Sequence, residues 1–135
     1  MSKVIDVAAG LVFRNGQLLI TQRRPGDHLG GLWEFPGGKV EPNETFEHCL
    51  ARELREELGI DVRVGAQVDE ITHSYPEKTV RLRFFRCELV EGEPQPIHCH
   101  ATAWVTAESI PDFEFPAADE QLLRKLKADH SFWIQ

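Results

Sequence analysis

Apolar and polar residues alternate through much of this chain, and two stretches replace that alternation with a helical rhythm. Val4 to Phe13 reads as a first strand. "RNGQ" (Arg14 to Gln17) then places Asn-Gly between apolar runs, the strongest short hairpin signal, with "LLITQR" as the returning strand. "RRPGDHLGGLWEFPGGK" is rich in Gly and Pro and reads as loop around a short strand. "VRVGAQV", "TVRLRFFRCEL" and the short "ATAWVT" read as further strands, with "EGEPQP" as a turn. In the second of these, Val80, Leu82 and Phe84 alternate with Thr79, Arg81 and Arg83. Phe46, Leu50, Leu54 and Leu58 recur in steps of four and predict a helix from about Thr45 to Leu58. Thr45 suits its N-cap, and Gly59 its C-terminal cap. "AADEQLLRKLKAD" predicts a last helix with Leu122, Leu123 and Leu126 on one side. Strands dominate and one long helix lies mid-chain, which predicts an α+β or layered sandwich fold, not a doubly wound sheet.

Composition narrows the class. A chain of 135 residues is most simply one domain, 1–135, able to bury a core without disulfides or a structural metal. No apolar run approaches the roughly 18 residues of a membrane span. The start, "MSKVIDVAAGLVF", lacks the long uninterrupted apolar stretch of a signal peptide, so a cytoplasmic location is expected. Cys49, Cys87 and Cys99 form no C-x-x-C pair and read as reduced thiols. A net charge of −7 argues against broad electrostatic binding to nucleic acid. It leaves room for a small phosphorylated ligand whose charge a metal neutralises.

"RELREEL" (Arg52 to Leu58) is the densest run of charge. Glu53, Glu56 and Glu57 stand at i, i+3 and i+4, so they share a helix face. That face adjoins the apolar stripe, about 90° away, at the edge of whatever the helix packs against. Glu56 and Glu57 lie in the last turn, where the helix dipole disfavours negative charge by ~0.3–1 kcal/mol each. The cluster therefore costs stability unless a cation relieves it. Clustered carboxylate oxygens suit a hard ion such as Mg2+ or Mn2+; a solvated charged face is the plain alternative. Gly37 and Gly38 lie just before the helix, where glycine permits either a tight turn or close approach of backbone to a ligand.

The whole pattern resembles the Nudix box. Gly38, five residues, Glu44, seven residues and then "RELREELGI" (Arg52 to Ile60) match G-x5-E-x7-R-E-U-x-E-E-x-G-U at every defined position. The resemblance runs along nearly the whole chain to the MutT-like branch, through "TQRRPGDH", "WEFPGGKVE", "EGEP" and "FPAADE". It implies a Nudix fold, a mixed β-sheet sandwiched between helices with the box as loop-helix-loop. It implies Mg2+-dependent hydrolysis (Mn2+ possible) of a nucleoside triphosphate to the monophosphate and pyrophosphate. Glu53, Glu56 and Glu57 resemble the family's metal and catalytic glutamates, with the Gly37 carbonyl as a further ligand. Glu53 would position or deprotonate the attacking water, Arg52 would orient a glutamate, and Glu44 would support the loop. Arg23 and Lys39 resemble phosphate contacts. His28, Glu34, Phe35, Pro36, Gly37, Gly38 and Lys78 resemble substrate-pocket residues; Lys39 equally suits solvent and Phe35 a core.

Two positions depart from the branch. His98, in "PIHCHATAW", stands where many members have a glutamate that binds metal or acts as base. It is a candidate proton acceptor or a ligand for a softer metal, with no role in the chemistry as the plain alternative, and "HCH" (His98 to His100) invites a zinc reading that lacks a fourth ligand. Asp119 stands where the 8-oxoguanine readers can carry Asn. Ionised, it only accepts hydrogen bonds, from N1–H and the 2-amino group of 8-oxoguanine or from the 4-amino group of cytosine; protonated, it also donates. Its plain alternative is an N-cap for the last helix. The expected substrate is an oxidised nucleotide such as 8-oxo-dGTP, with CTP or a 5-substituted dCTP as the alternative and a binding module without turnover as the third reading. The "SFWIQ" tail leaves a monomer or a homodimer open.

Overall fold

The computed structural model describes residues 3–134; Met1, Ser2 and Gln135, at the ends of the first stretch and of the tail, lie outside them. In chain order its elements are β1 (Lys3–Arg14), β2 (Gln17–Gln22), β3 (Trp33–Glu34), β4 (Gly37–Lys39), α1 (Phe46–Leu58), β5 (Asp61–Ser74), β6 (Lys78–Glu91), β7 (Ala101–Val105) and α2 (Glu120–Ala128). Short 3-10 turns at Ile110–Asp112, Ala117–Asp119 and His130–Trp133 flank α2.

β1 is the spine of a mixed sheet. Along one side it pairs in parallel with β6, from Lys3 opposite Lys78 to Phe13 opposite Glu88. Its other side is shared: β2 takes Phe13 and Arg14, while β4 takes Val7 to Ala9. β2 is divided in the same way, with β7 along one side and β1 followed by β3 along the other. The strands of the first hairpin therefore diverge, and residues 33–39 fill the fork. The Gly10 N–H donates to the Pro36 carbonyl across it at 2.8 Å. The Asn-Gly turn forms as the sequence predicts, with Asn15 at φ 52° and Gly16 at φ 76°.

Ala8 to Phe13 is buried at every position because helices cover both faces of the sheet. Ala8, Val12, Leu19 and Phe85 pack with Leu50, Leu54 and Leu58 of α1. Ala9, Leu11, Phe13 and Phe84 pack with Leu122 and Leu126 of α2. α1 begins and ends where its caps predict. The Thr45 side chain accepts from the His48 N–H, and Gly59 adopts φ 70° while its N–H donates to the Arg55 carbonyl.

The structure revises two readings. β5 and β6 each run 14 residues. Bulges between Val64 and Gln67 and between Gln67 and Asp69 shift the alternation of β5 in mid-strand and hide its full length in the sequence. The last helix starts at Glu120, after the 3-10 turn at Ala117–Asp119. The described part of the tail folds back on its own chain. Trp133 packs edge-on against Phe13 at 5.4 Å, and its Nε1–H donates to the Leu126 carbonyl. No helix among the described residues is long and apolar enough to cross a membrane.

Candidate active site

The fork between β1 and β2 brings the Gly-rich segment against α1. Gly37 pairs with Ala9 so closely that a Cβ there would collide with the Ala8 carbonyl oxygen. At Gly38 the space a Cβ would need holds the Glu53 carboxylate. Both glycines lie in β4 rather than in a turn, and close approach is what requires them.

Arg52 organises the acidic face. Its Nε and Nη2 donate to both oxygens of Glu44, at 2.7 and 3.0 Å, and Nη1 donates to Glu53 Oε1 at 2.9 Å and to Glu56 Oε2 at 3.3 Å. Glu44 also accepts from the Glu41 N–H, so it braces the loop as expected. The Arg52 hydrogen bonds, followed by that backbone bond, hold the Glu44 carboxyl at about 2. Burial raises the Glu53 carboxyl against the pull of Arg52. Glu57 has no side-chain hydrogen bond among the described residues. Burial, then the charges of Glu53, Glu34 and Glu56, push it up to about 8.

A cavity of about 390 Å³ opens over this arrangement. Of the residues singled out in the sequence, Arg23, Glu34, Phe35, Gly37, Gly38, Lys39, Glu53, Glu57 and Asp119 line it. Val7, Ala8, Ala9, Leu82 and Phe84 complete it and were not foreseen as site residues. The even parity of Leu82 and Phe84 along β6 was the available signal. A larger cavity, about 1020 Å³, lies beside Arg63, Arg86 and Phe132 and contains none of the candidate catalytic, metal or substrate residues; the acidic and glycine-rich chemistry converges on the smaller one.

Other expected residues stand apart from the cavity wall. Pro36 is buried in the fork, and Glu56 is exposed at the edge of the acidic face. His28 and Lys78 gather around Tyr75, His28 edge-on at 6.1 Å and the Lys78 ammonium 5.7 Å from the ring centre. Arg23 is already engaged: Nη1 bonds Glu34 at 2.9 Å and Nε donates to the His28 carbonyl at 2.6 Å. His98 is exposed and does not line the cavity; its backbone N–H donates to the Glu57 carbonyl at 3.2 Å. Asp119 is buried, at 7% exposure, and makes no side-chain capping bond, so the N-cap reading is not realised. Burial, then the nearby Glu34 charge, raises its carboxyl to about 7.

Among the described residues no three His, Cys, Asp or Glu side chains converge tightly enough to hold an ion, for the "HCH" segment or for the glutamates. Arg52 accounts for the latter by drawing Glu53 and Glu56 to itself. The donor set still fits a hard dication. Glu53, Glu57 and the Gly37 backbone border one cavity, and no protein cation bonds the Glu57 carboxyl directly, so burial and the neighbouring carboxylates hold it up where a dication would favour its ionised form.

The family model described as NUDIX domain matches residues 8–125. The chain belongs to the Nudix family. Its relatives place it in the MutT-like branch of these pyrophosphohydrolases. It is 45% identical to an 8-oxo-dGTP diphosphatase of Proteus vulgaris, over 62% of this chain and 75% of that protein. It is 36% identical to the CTP pyrophosphohydrolase of Escherichia coli K12, over 93% of each. The solution structure of the E. coli ORF135 protein superimposes with a TM-score of 0.80 at 35% identity, covering 94% of this chain and 91% of that one. This Nudix hydrolase thus acts on nucleoside triphosphates, and its mixed sheet with flanking helices is the family's architecture.

Proposed function

We propose that this Nudix hydrolase clears oxidised nucleotides, with 8-oxo-dGTP as its leading substrate, releasing the nucleoside monophosphate and pyrophosphate with the help of Mg2+. The observation that carries the base assignment is Asp119, buried in the cavity wall with its carboxyl raised to about 7. Half-protonated near neutrality, it can donate to O6 of 8-oxoguanine and accept from N7–H, which an ionised carboxylate cannot do together. Glu53, Glu57 and the Gly37 carbonyl would hold Mg2+, with Glu56 joining from the rim. When bound, the ion polarises the phosphoryl oxygens and lowers the pKa of bound water. Arg52 fixes Glu53 through Oε1 and leaves Oε2 to accept the proton of the attacking water. Lys39, on the cavity rim, and Arg23, on exchanging its bonds to Glu34 and His28, contact phosphate. Gly38 lets the Glu53 carboxylate lie against the backbone of β4 without a side chain between them.

A second reading, CTP or a 5-substituted dCTP, draws on the same residue. Ionised Asp119 accepts from the 4-amino group of cytosine, and the similarity to the E. coli CTP pyrophosphohydrolase spans both chains. Pyrophosphate release across 8-oxo-dGTP, dGTP, CTP, dCTP and 5-methyl-dCTP separates the two. The kcat/KM ratio of 8-oxo-dGTP to CTP is expected to fall about a hundredfold from pH 6 to pH 8, as the neutral fraction of a group titrating near 7 falls about tenfold and the ionised fraction, which reads cytosine, rises about tenfold. Asp119→Asn is expected to flatten that profile. A profile equally steep in the variant would remove Asp119 from base selection, and cytosine preference throughout would move the enzyme to the second reading.

The same shift bears on stability. A carboxyl whose folded pKa lies above its unfolded value of about 4 disfavours folding as pH rises between the two, and the loss is complete above the folded value. Asp119→Asn should therefore leave stability unchanged near pH 4. At pH 8 it should raise it by up to ~4 kcal/mol, three pKa units at about 1.4 each, read by denaturant unfolding.

A further inference from the structure

Nothing holds the Asp119 carboxylate directly: no side-chain hydrogen bond reaches it among the described residues. Its position depends on the backbone of the Ala117–Asp119 turn and on the first turn of α2. Leu122 and Leu126 bury the apolar side of α2 in the core. Apolar burial is non-directional, so it resists lifting of the helix more than sliding.

The side-chain hydrogen bonds from α2 to the sheet converge on one point, the β5 bulge at Val68 and Asp69. Gln121 Nε2 donates to Asp69 Oδ1 at 3.0 Å, and Lys125 Nζ donates to the Val68 carbonyl at 2.7 Å. Lys125 Nζ also stands 3.7 Å from Asp69 Oδ1. Gln121 and Lys125 are four apart and share the face of α2 turned to β5. Gln121 is two residues from Asp119, and Asp69 sits opposite Phe84, itself a wall of the cavity.

The Asp69 side chain is only 9% exposed. Oδ1 also accepts from the Glu70 N–H, whereas Oδ2 is buried with no protein donor among the described residues. A buried carboxylate oxygen without a donor costs stability. Stability alone therefore does not account for an aspartate here; anchoring does.

We propose that Asp69 is a positioning residue for base selection: through Gln121 it locks the first turn of α2 to the bulge of β5 and so sets where Asp119 stands in the cavity. The inference rests on the reading of Asp119 as the residue that reads the base. Asp69 touches neither the cavity nor the acidic face. Its loss is therefore expected in discrimination between bases rather than in turnover.

The test compares kcat and KM for 8-oxo-dGTP and CTP, with Mg2+, in the parent, Asp69→Ala, Asp69→Asn, Gln121→Ala and Asp119→Asn. Asp69→Ala should reduce the ratio of the two kcat/KM values about five- to tenfold, mostly through KM of the preferred substrate, with its kcat within about twofold. Asp69→Asn keeps an Oδ1 acceptor for Gln121 and should stay within about twofold of the parent ratio. Gln121→Ala removes the same bond from an exposed position, so it reports even where Asp69→Ala fails to fold. An unchanged ratio in Gln121→Ala and Asp69→Ala, beside a changed one in Asp119→Asn, overturns the positioning role and leaves the base reading intact. An equal loss on both substrates also overturns it. An unchanged ratio in Asp119→Asn at both pH 6 and pH 8 removes the base reading and this inference together.

Discussion

Replacing Glu53 by Gln is expected to lower kcat about 10³-fold, or ~4 kcal/mol of barrier, while the melting temperature moves by only a few degrees. The amide keeps the shape of the carboxylate and its oxygen can still accept from Arg52 Nη1. It cannot take a proton, and it is a poorer ligand for a hard cation. Glu53 is held on one side by Arg52 and on the other by the absent side chain of Gly38, so a neutral isostere has no reason to move. Pyrophosphate release beside a thermal melt checks both halves. A loss below tenfold with an intact fold would take the water-activating role away from Glu53 and direct attention to Glu57, the other half-buried glutamate of the face.

Gly37→Ala and Gly38→Ala are expected to fail in opposite ways, although the residues are neighbours. At Gly37 the methyl group meets the Ala8 carbonyl and the Ala9 Cα, which are backbone atoms of the central strand. Neither can yield without breaking the β1–β4 pairing that seats this segment in the fork. The expected cost exceeds ~4 kcal/mol, enough to lose the soluble fold, read as a collapse of the unfolding midpoint. At Gly38 the atoms nearest the methyl group are those of the Glu53 carboxylate, the far end of a flexible side chain. That group swings aside at small cost in stability. Gly38→Ala should therefore melt close to the parent and lose activity on the scale of Glu53→Gln. A folded Gly37→Ala enzyme would mean that the β1–β4 contact is looser than described; an active Gly38→Ala enzyme would mean that Glu53 acts from another position.

These outcomes divide along the line between local and long-range structure. The acidic face of α1 was legible because it depends on helix geometry alone: spacing of three and four, a Thr cap and a Gly cap bring Glu53, Glu56 and Glu57 together whatever the helix packs against. The Asn-Gly hairpin was legible for the same reason, since a two-residue turn specifies its own backbone. The bracing of Arg52 by Glu44 spans eight residues and was within reach of the motif. By contrast, nothing local places Asp119 in the same cavity as Glu34 and Glu53. That required α2 to pack on the face of the sheet opposite α1 and the parallel pairing of β1 with β6, some 75 residues further on.

The tertiary structure also sorted candidates that looked equivalent as letters. Arg23 and Lys39 both border the cavity, yet Arg23 is bonded to Glu34 and to the His28 carbonyl while Lys39 is exposed. His28 and Lys78 gather at Tyr75, and His98 docks on the end of α1 through its backbone with its side chain outside the cavity. Gly37 and Gly38, adjacent and identical in sequence, differ because one faces backbone and the other a carboxylate. The sequence by itself determined the helix, its three glutamates and the family chemistry they imply, because hydrogen bonds and side-chain spacing within one element set them. Only the fold decided which other groups face those glutamates and how strongly burial shifts them, because both depend on contacts between segments far apart in the chain.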